Sequence, residues 1–231
     1  MFDAKKLLDQ FLGSQVPGAN GSVKQKAGDI VQLAKDNPLA TGAIAAVLLG
    51  TKTGRSLGGN ALKLGGLAAI AGLGYQAYKN YQAGKAPQDA PSVEPVLLPA
   101  PTDSPFSHEA PGASDDFALA LVRAMIAAAK ADGHIDTEER RHIMDKIHLS
   151  GLGAEAETFI EAELSAPTDL DSLVAAARTE EQKVELYTAS RLAIEPDSRA
   201  ERGYLDLLAG RLGLADALVD HIEATVSAAK V

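Results

Sequence analysis

The chain has 231 residues, with 31 Asp and Glu against 22 Lys and Arg for a formal charge of -9, and it carries 21 Gly, no Trp and no Cys. Without thiols it can form neither disulfides nor thiolate metal centres. The charge is unevenly placed: residues 1–86 hold 10 basic and 4 acidic side chains (+6) and residues 87–231 hold 12 and 27 (-15), so the acidic part repels nucleic acid phosphates while the basic part suits anionic lipid headgroups.

Residues 1–13 predict a short amphipathic helix, because Phe2, Leu7, Leu8, Phe11 and Leu12 share one face and Gly13 ends it. This start has no apolar core and no cleavage site, so no cleaved signal peptide is expected. SQVPGANG at 14–21 is loop chemistry, and residues 22–36 form a second polar helix broken by Asn37–Pro38. The apolar run LATGAIAAVLLG at 39–50 is 12 residues long, short of the roughly 20 a membrane span needs. The run ALKLGGLAAIAGLGYQAYKNY at 61–81 has 21 residues, Lys63 and Lys79 near its ends, and Tyr75, Tyr78 and Tyr81 toward one end. It is the better single-span candidate, with snorkelling lysines and an interfacial aromatic belt. A two-span hairpin would translocate Lys52, Arg55 and Lys63 against the positive-inside tendency.

Small residues recur every four positions at Gly42, Ala46, Gly50, Gly54 and Gly58, and the theme continues at Gly65 and Gly72. In lipid, such a ladder lets helix backbones approach closely and offers self-association. The competing reading is a soluble, Ala/Gly-rich helical hairpin. Residues 1–86 are therefore expected to be an amphipathic and Gly-rich membrane-anchor region.

Residues 87–113 hold seven of the 11 prolines and predict a semi-stiff linker. Residues 114–231 predict one compact all-helical domain. Ser114-Asp115-Asp116 caps a first helix, in which Phe117, Leu121, Met125 and Ile126 follow at helical spacing. Further helices are expected near 137–148, 154–165, 169–177, 180–193, 199–212 and 215–229, with breaks at Gly133, Gly151, Gly153, Pro167, Pro196 and Gly213. The whole chain thus reads as all-α.

Two acidic turns echo each other. Ala131-DGHIDTE-Glu139-Arg140 aligns with Ala193-IEPDSRA-Glu201-Arg202. Were the two hairpins to pack face to face, Asp132, Asp136, Glu139, Glu195, Asp197 and Glu201 would gather as candidate ligands of a divalent cation. Helix capping explains the same residues without a ligand: Asp136 to Glu139 is D-x-x-E, and Ser198 to Glu201 is an S-x-x-E capping box. The first turn also lacks the ligand spacing of an EF-hand loop.

LVRAMIAAAKADGHIDTEERRHI and the later EPDSRAERGYLDLLAGRLGL resemble the TerB-like domain, the all-helical fold named for tellurite-resistance proteins. The N-terminal helix, the Gly-rich segment at 50–59, the GGLAAIAGLGYQAY run and the C-terminal part resemble, in that order, the YebE-like bacterial inner-membrane proteins. The resemblance implies a membrane-anchored protein with a cytoplasmic TerB-like domain, of uncharacterised function and bound to an unknown protein partner. It also implies metal binding at the acidic turns, although Ile194 stands where an acidic residue would parallel Asp132.

Nothing in the sequence points to catalysis. No G-x-S-x-G, phosphate loop or dinucleotide fingerprint occurs. His134, His142 and His148 lack the i, i+4 zinc spacing, and His108 and His221 lie elsewhere. The expectation is a non-enzymatic interaction or scaffold protein at a membrane, with no nucleic acid partner. The alternative is a cation-responsive domain.

Overall fold

The computed structural model describes residues 66–87, 99–107, 115–133, 135, 140–141, 143–145, 148 and 154–229. Its helices are α1 (Gly66–Gln82), α2 (Asp115–Ala129), α3 (Ala154–Ser165), α4 (Leu170–Ala176), α5 (Glu180–Ala193), α6 (Arg199–Leu212) and α7 (Asp216–Ala229). Residues 140–141 and 143–145 are also helical, and no strand occurs among the described residues.

Helix starts and stops follow side-chain chemistry. Asp169 caps α4, its carboxylate accepting from the Ser172 amide at 3.0 Å. Thr179 and Gln182 form a capping box at α5, and Ser198 and Glu201 form another at α6. α6 ends at Gly213, whose φ of 69° is the left-handed conformation glycine adopts without strain. There the Leu214 amide reaches the Ala209 carbonyl and the Gly213 amide that of Gly210, the paired bonds of a Schellman motif. α1 closes the same way at Gly84, with Lys85 to Asn80 and Gly84 to Tyr81.

α5 is the central element, touching α1, α2, α6 and α7. Every residue from Val184 to Ala193 is buried. Its buried hydroxyls return to the helix, Thr188 donating to the Val184 carbonyl at 2.7 Å and Ser190 to that of Leu186 at 3.1 Å. Neither of these two hydroxyls is stranded in the core. α2 packs along α5 with Leu121, Val122, Met125 and Ile126 inside.

The membrane span expected at 61–81 is not supported across α1, and residues 61–65 lie outside the described residues. This 17-residue helix lies on α7 and α5, and its Ala69, Ile70, Leu73 and Ala77 belong to the same apolar core as α2 and α5. No helix among the described residues is long and apolar enough to cross a membrane. Tyr75 and Tyr78 are not a headgroup belt. They pack on Phe106 with ring centroids 6.0 and 5.6 Å apart, and Tyr81 meets the buried His221 at 6.2 Å. The physical reason is a narrow polar stripe. Gln76, Lys79 and Gln82 face solvent at a spacing of three, so the apolar remainder turns inward as in any amphipathic helix. The helical unit therefore reaches back across the expected linker: α1 and Phe106 share the core expected of residues 114–231 alone.

Close approach of α1 and α5 depends on Gly74. A Cβ there would stand 3.3 Å from Val184 Cγ1 and 3.4 Å from Phe106 Cε1. Gly74→Leu is therefore expected to overpack the interface and cost about 1–3 kcal/mol. Gly203 on α6 has nothing within 4 Å of an added Cβ. Gly203→Ala is expected to stabilise by roughly 0.5–1 kcal/mol through helix propensity. Urea unfolding of both variants checks the pair, and equal midpoints would contradict this packing.

Candidate functional site

The second acidic turn is organised by a residue sequence reasoning passed over, Arg191. Its side chain is only 3% exposed. Nε donates to Glu223 Oε2 at 2.6 Å, and Nη1 to the Ile194 carbonyl at 2.9 Å. Nη2 reaches Ser227 Oγ at 3.2 Å and Glu195 Oε1 at 3.5 Å. The Tyr187 hydroxyl donates to the other oxygen of Glu223 at 2.8 Å. Burial, the negative charge of Glu223 and this hydrogen bond push the Tyr187 phenol well above its ordinary range. One guanidinium thus ties the C-terminus of α5 to the middle of α7 and holds Glu195 at the turn. The available signal was the Arg191–Glu195 spacing of four at a helix end.

Glu201 is engaged as well. Its Oε2 accepts from the Ser198 amide at 2.8 Å, and its own amide donates to Ser198 Oγ at 3.1 Å. Asp197 is exposed, and Arg202 Nη1 donates to its backbone carbonyl at 2.8 Å. In the first turn Asp132 is exposed beside Gly133, whose φ of 120° turns the chain out of α2. Asp136 and Glu139 lie outside the described residues, as do Gly42, Gly50, Gly54, Gly58 and the side of the ladder at which they stand. Gly65 lies outside them too, while Gly72 is buried within α1. Among the described residues, no three His, Asp or Glu side chains converge as metal ligands. The second turn is capped by the Ser198–Glu201 box, and Arg191 reaches Glu195 beside it.

A second feature lies on the other side of α2. A cleft of about 360 Å³ opens between α2, α3 and α4. Ala120, Ile126, Ala127, Leu173 and Ala176 contribute its apolar walls, and Arg123, Lys130, Glu163, Thr168, Asp169 and Ser172 its polar ones. Arg123 Nε donates to Glu163 Oε1 at 2.7 Å, with the guanidinium carbon 5.2 Å from the centre of the Phe159 ring. Lys130 Nζ donates to the carbonyls of Glu163 and Ala166, closing the C-terminus of α3. Burial lowers the Lys130 pKa against the opposing pull of Glu163.

The family of unknown function DUF533 matches residues 34–226. The chain belongs to this family. The matched span runs from before α1 to Val226 in α7, so α1 and the Arg191–Glu223 pair both fall within the DUF533 region. The chain is also similar to an uncharacterized protein in the ampR 5' region of Yersinia enterocolitica. The two are 33% identical over 103 residues, 45% of this chain and 74% of that protein. No solved structure matches.

The DUF533 bundle gives Arg191 a measurable weight. Arg191→Met keeps the aliphatic volume but takes the guanidinium from the Ile194 carbonyl and from Glu223, which keeps the Tyr187 hydroxyl. Glu223 is 31% exposed, so water recovers part of the loss. The expected cost is about 2–3 kcal/mol, below the full penalty of a broken buried pair. Glu223→Gln, whose amide oxygen can accept from Arg191 Nε while its nitrogen donates to the Tyr187 hydroxyl oxygen, is expected to cost less, and urea titration would rank the two.

Proposed function

We propose that this DUF533 protein is a non-enzymatic, membrane-associated interaction protein. Residues 1–65 associate with lipid, and the acidic helical bundle is offered to a cytoplasmic protein partner. The observation that carries this reading is the charge division once α1 is counted with the bundle. Residues 1–65 hold 8 basic and 4 acidic side chains (+4), and residues 66–231 hold 14 and 27 (-13), which sum to -9. A basic, Gly-rich segment attached to a strongly acidic body is drawn to anionic headgroups while the body is repelled from them. The TerB-like and YebE-like resemblances support the same arrangement. Flotation with anionic vesicles tests it. Full-length protein is expected to float with anionic vesicles, less with neutral ones and less after a high-salt wash, while residues 66–231 remain in the soluble fraction. Full-length protein left soluble would end the membrane reading.

Cation binding is the second reading, and the exposed Asp132 beside the turn at Gly133 favours it. Among the described residues, its carboxylate has no engagement of the kind that occupies Glu195 and Glu201. Calcium, magnesium and zinc titrations followed by amide NMR, with Asp132→Ala as control, decide it. Saturable shifts lost in the variant would support a site, and diffuse, non-saturating shifts would leave the turn a helix corner.

A further inference from the structure

We propose that the cleft between α2, α3 and α4 is a binding site for a small organic carboxylate with an apolar body. This assignment is independent of whether residues 1–65 associate with lipid.

Three observations converge on that chemistry. The first is size: about 360 Å³ falls in the range of roughly 300–1,000 Å³ typical of small-ligand sites. The second is the lining, where Ala120, Ile126, Ala127, Leu173 and Ala176 form the apolar part of the wall, Ala176 being the most exposed of them. The third is what the polar walls leave unengaged. Asp169 is held by Ser172, which donates its amide to one carboxylate oxygen at 3.0 Å and its hydroxyl to the other at 2.6 Å. Glu163 Oε1 accepts from Arg123. On the donor side, among the described residues only Nε of Arg123 is engaged, which leaves its terminal amino groups. Lys130 donates two of its three hydrogens, and Thr168 has an exposed hydroxyl. The remaining capacity includes donors on two cationic side chains, which an acceptor ligand would satisfy.

The charge count narrows the class further. Arg123 and Lys130 balance Glu163 and Asp169, so the ionised lining groups sum to zero. A monoanion can be held by hydrogen bonds to the two cations, while a phosphate dianion would face two carboxylates with no excess positive charge. The arginine fork matches a planar carboxylate in both geometry and charge. Lys130 is already partly dehydrated, which lowers its pKa, and an incoming anion would add an electrostatic partner beside Glu163.

The test uses the full chain and 4-fluorobenzoate, followed by fluorine NMR line broadening, with 4-fluorobenzyl alcohol as the uncharged probe of similar body. Two variants accompany it. Arg123→Gln removes the fork, and Ala176→Phe fills the cleft while leaving both cations in place. Circular dichroism verifies their helix content. The expected result is saturable binding of the carboxylate, weaker by roughly tenfold for the alcohol and for Arg123→Gln, and abolished in Ala176→Phe. The proposal is overturned by any of three results: no saturable broadening in the native chain, equal binding of the alcohol, or undiminished binding in either folded variant.

Discussion

Residues 114–231 produced alone are expected to lose cooperative unfolding, whereas residues 66–231 retain it. The shorter fragment lacks α1 and Phe106. Ile70 is fully buried, and Leu73 and Phe106 are each 2% exposed. Removing three such side chains forfeits about 1.5–3 kcal/mol apiece, and Ala69 and Ala77 add their own contacts. That total approaches the stability of an ordinary domain, about 5–15 kcal/mol, even though the fragment no longer bears the entropy of ordering α1. The surfaces α1 covers on α5 and α7, including Val184, would then face water. Urea or thermal unfolding of both fragments, together with dye binding to exposed apolar surface, measures the effect. Equal midpoints and equal dye binding would mean that α1 contributes nothing to the bundle.

Glu185→Gln is expected to make the protein more stable at pH 8 and to flatten its dependence on pH. Glu185 lies on α5 and is 8% exposed. Burial first, and the neighbouring Glu181 second, push its carboxyl from 4.5 up to about 8. Between those two values the folded protein keeps a proton that the unfolded chain has released. Protons therefore favour the folded state there, and stability falls as pH rises through that window. Below it both states are protonated and the penalty vanishes. The full excursion corresponds to roughly 3–5 kcal/mol. Glutamine keeps the shape and cannot ionise, so the gap between variant and native protein should open from pH 4 toward pH 8. Parallel pH profiles for the two proteins would sink this expectation.

Where the helices begin and end was legible because the signals are local. The expected helices at 180–193 and 199–212 coincide with α5 and α6, and those at 169–177 and 215–229 differ from α4 and α7 by a residue at their ends. Asp169, Thr179, Ser198 and Gly213 supply chemistry that acts within one turn of themselves. The destination of α1 was not legible in the same way. A helix of Gly, Ala, Leu and Ile satisfies its backbone internally, so the same composition suits lipid and a protein groove. What distinguishes them is the stripe Gln76, Lys79 and Gln82, which is visible in the sequence but was outweighed by the three tyrosines. The acidic turns were half legible. The capping box of Glu201 could be read from S-x-x-E, while the engagement of Glu195 depends on Glu223 and Ser227 drawing Arg191 inward from another helix. The cleft could not be read at all, since Arg123, Glu163 and Asp169 meet only after three helices have packed.

The docking of α1 on α7 also sets an order of events during synthesis. Gln82 ends α1 and Asp216 begins α7, 216 − 82 = 134 positions later. At about 5–20 residues per second, a ribosome needs roughly 7–27 s to cover that distance. Until that interval ends, the part of α1 that packs on α7 has no partner, and until α5 is made at Glu180–Ala193 α1 has neither helix to pack on. Nascent chains of this protein should consequently be captured by holdase chaperones or a lipid surface until the last helix emerges.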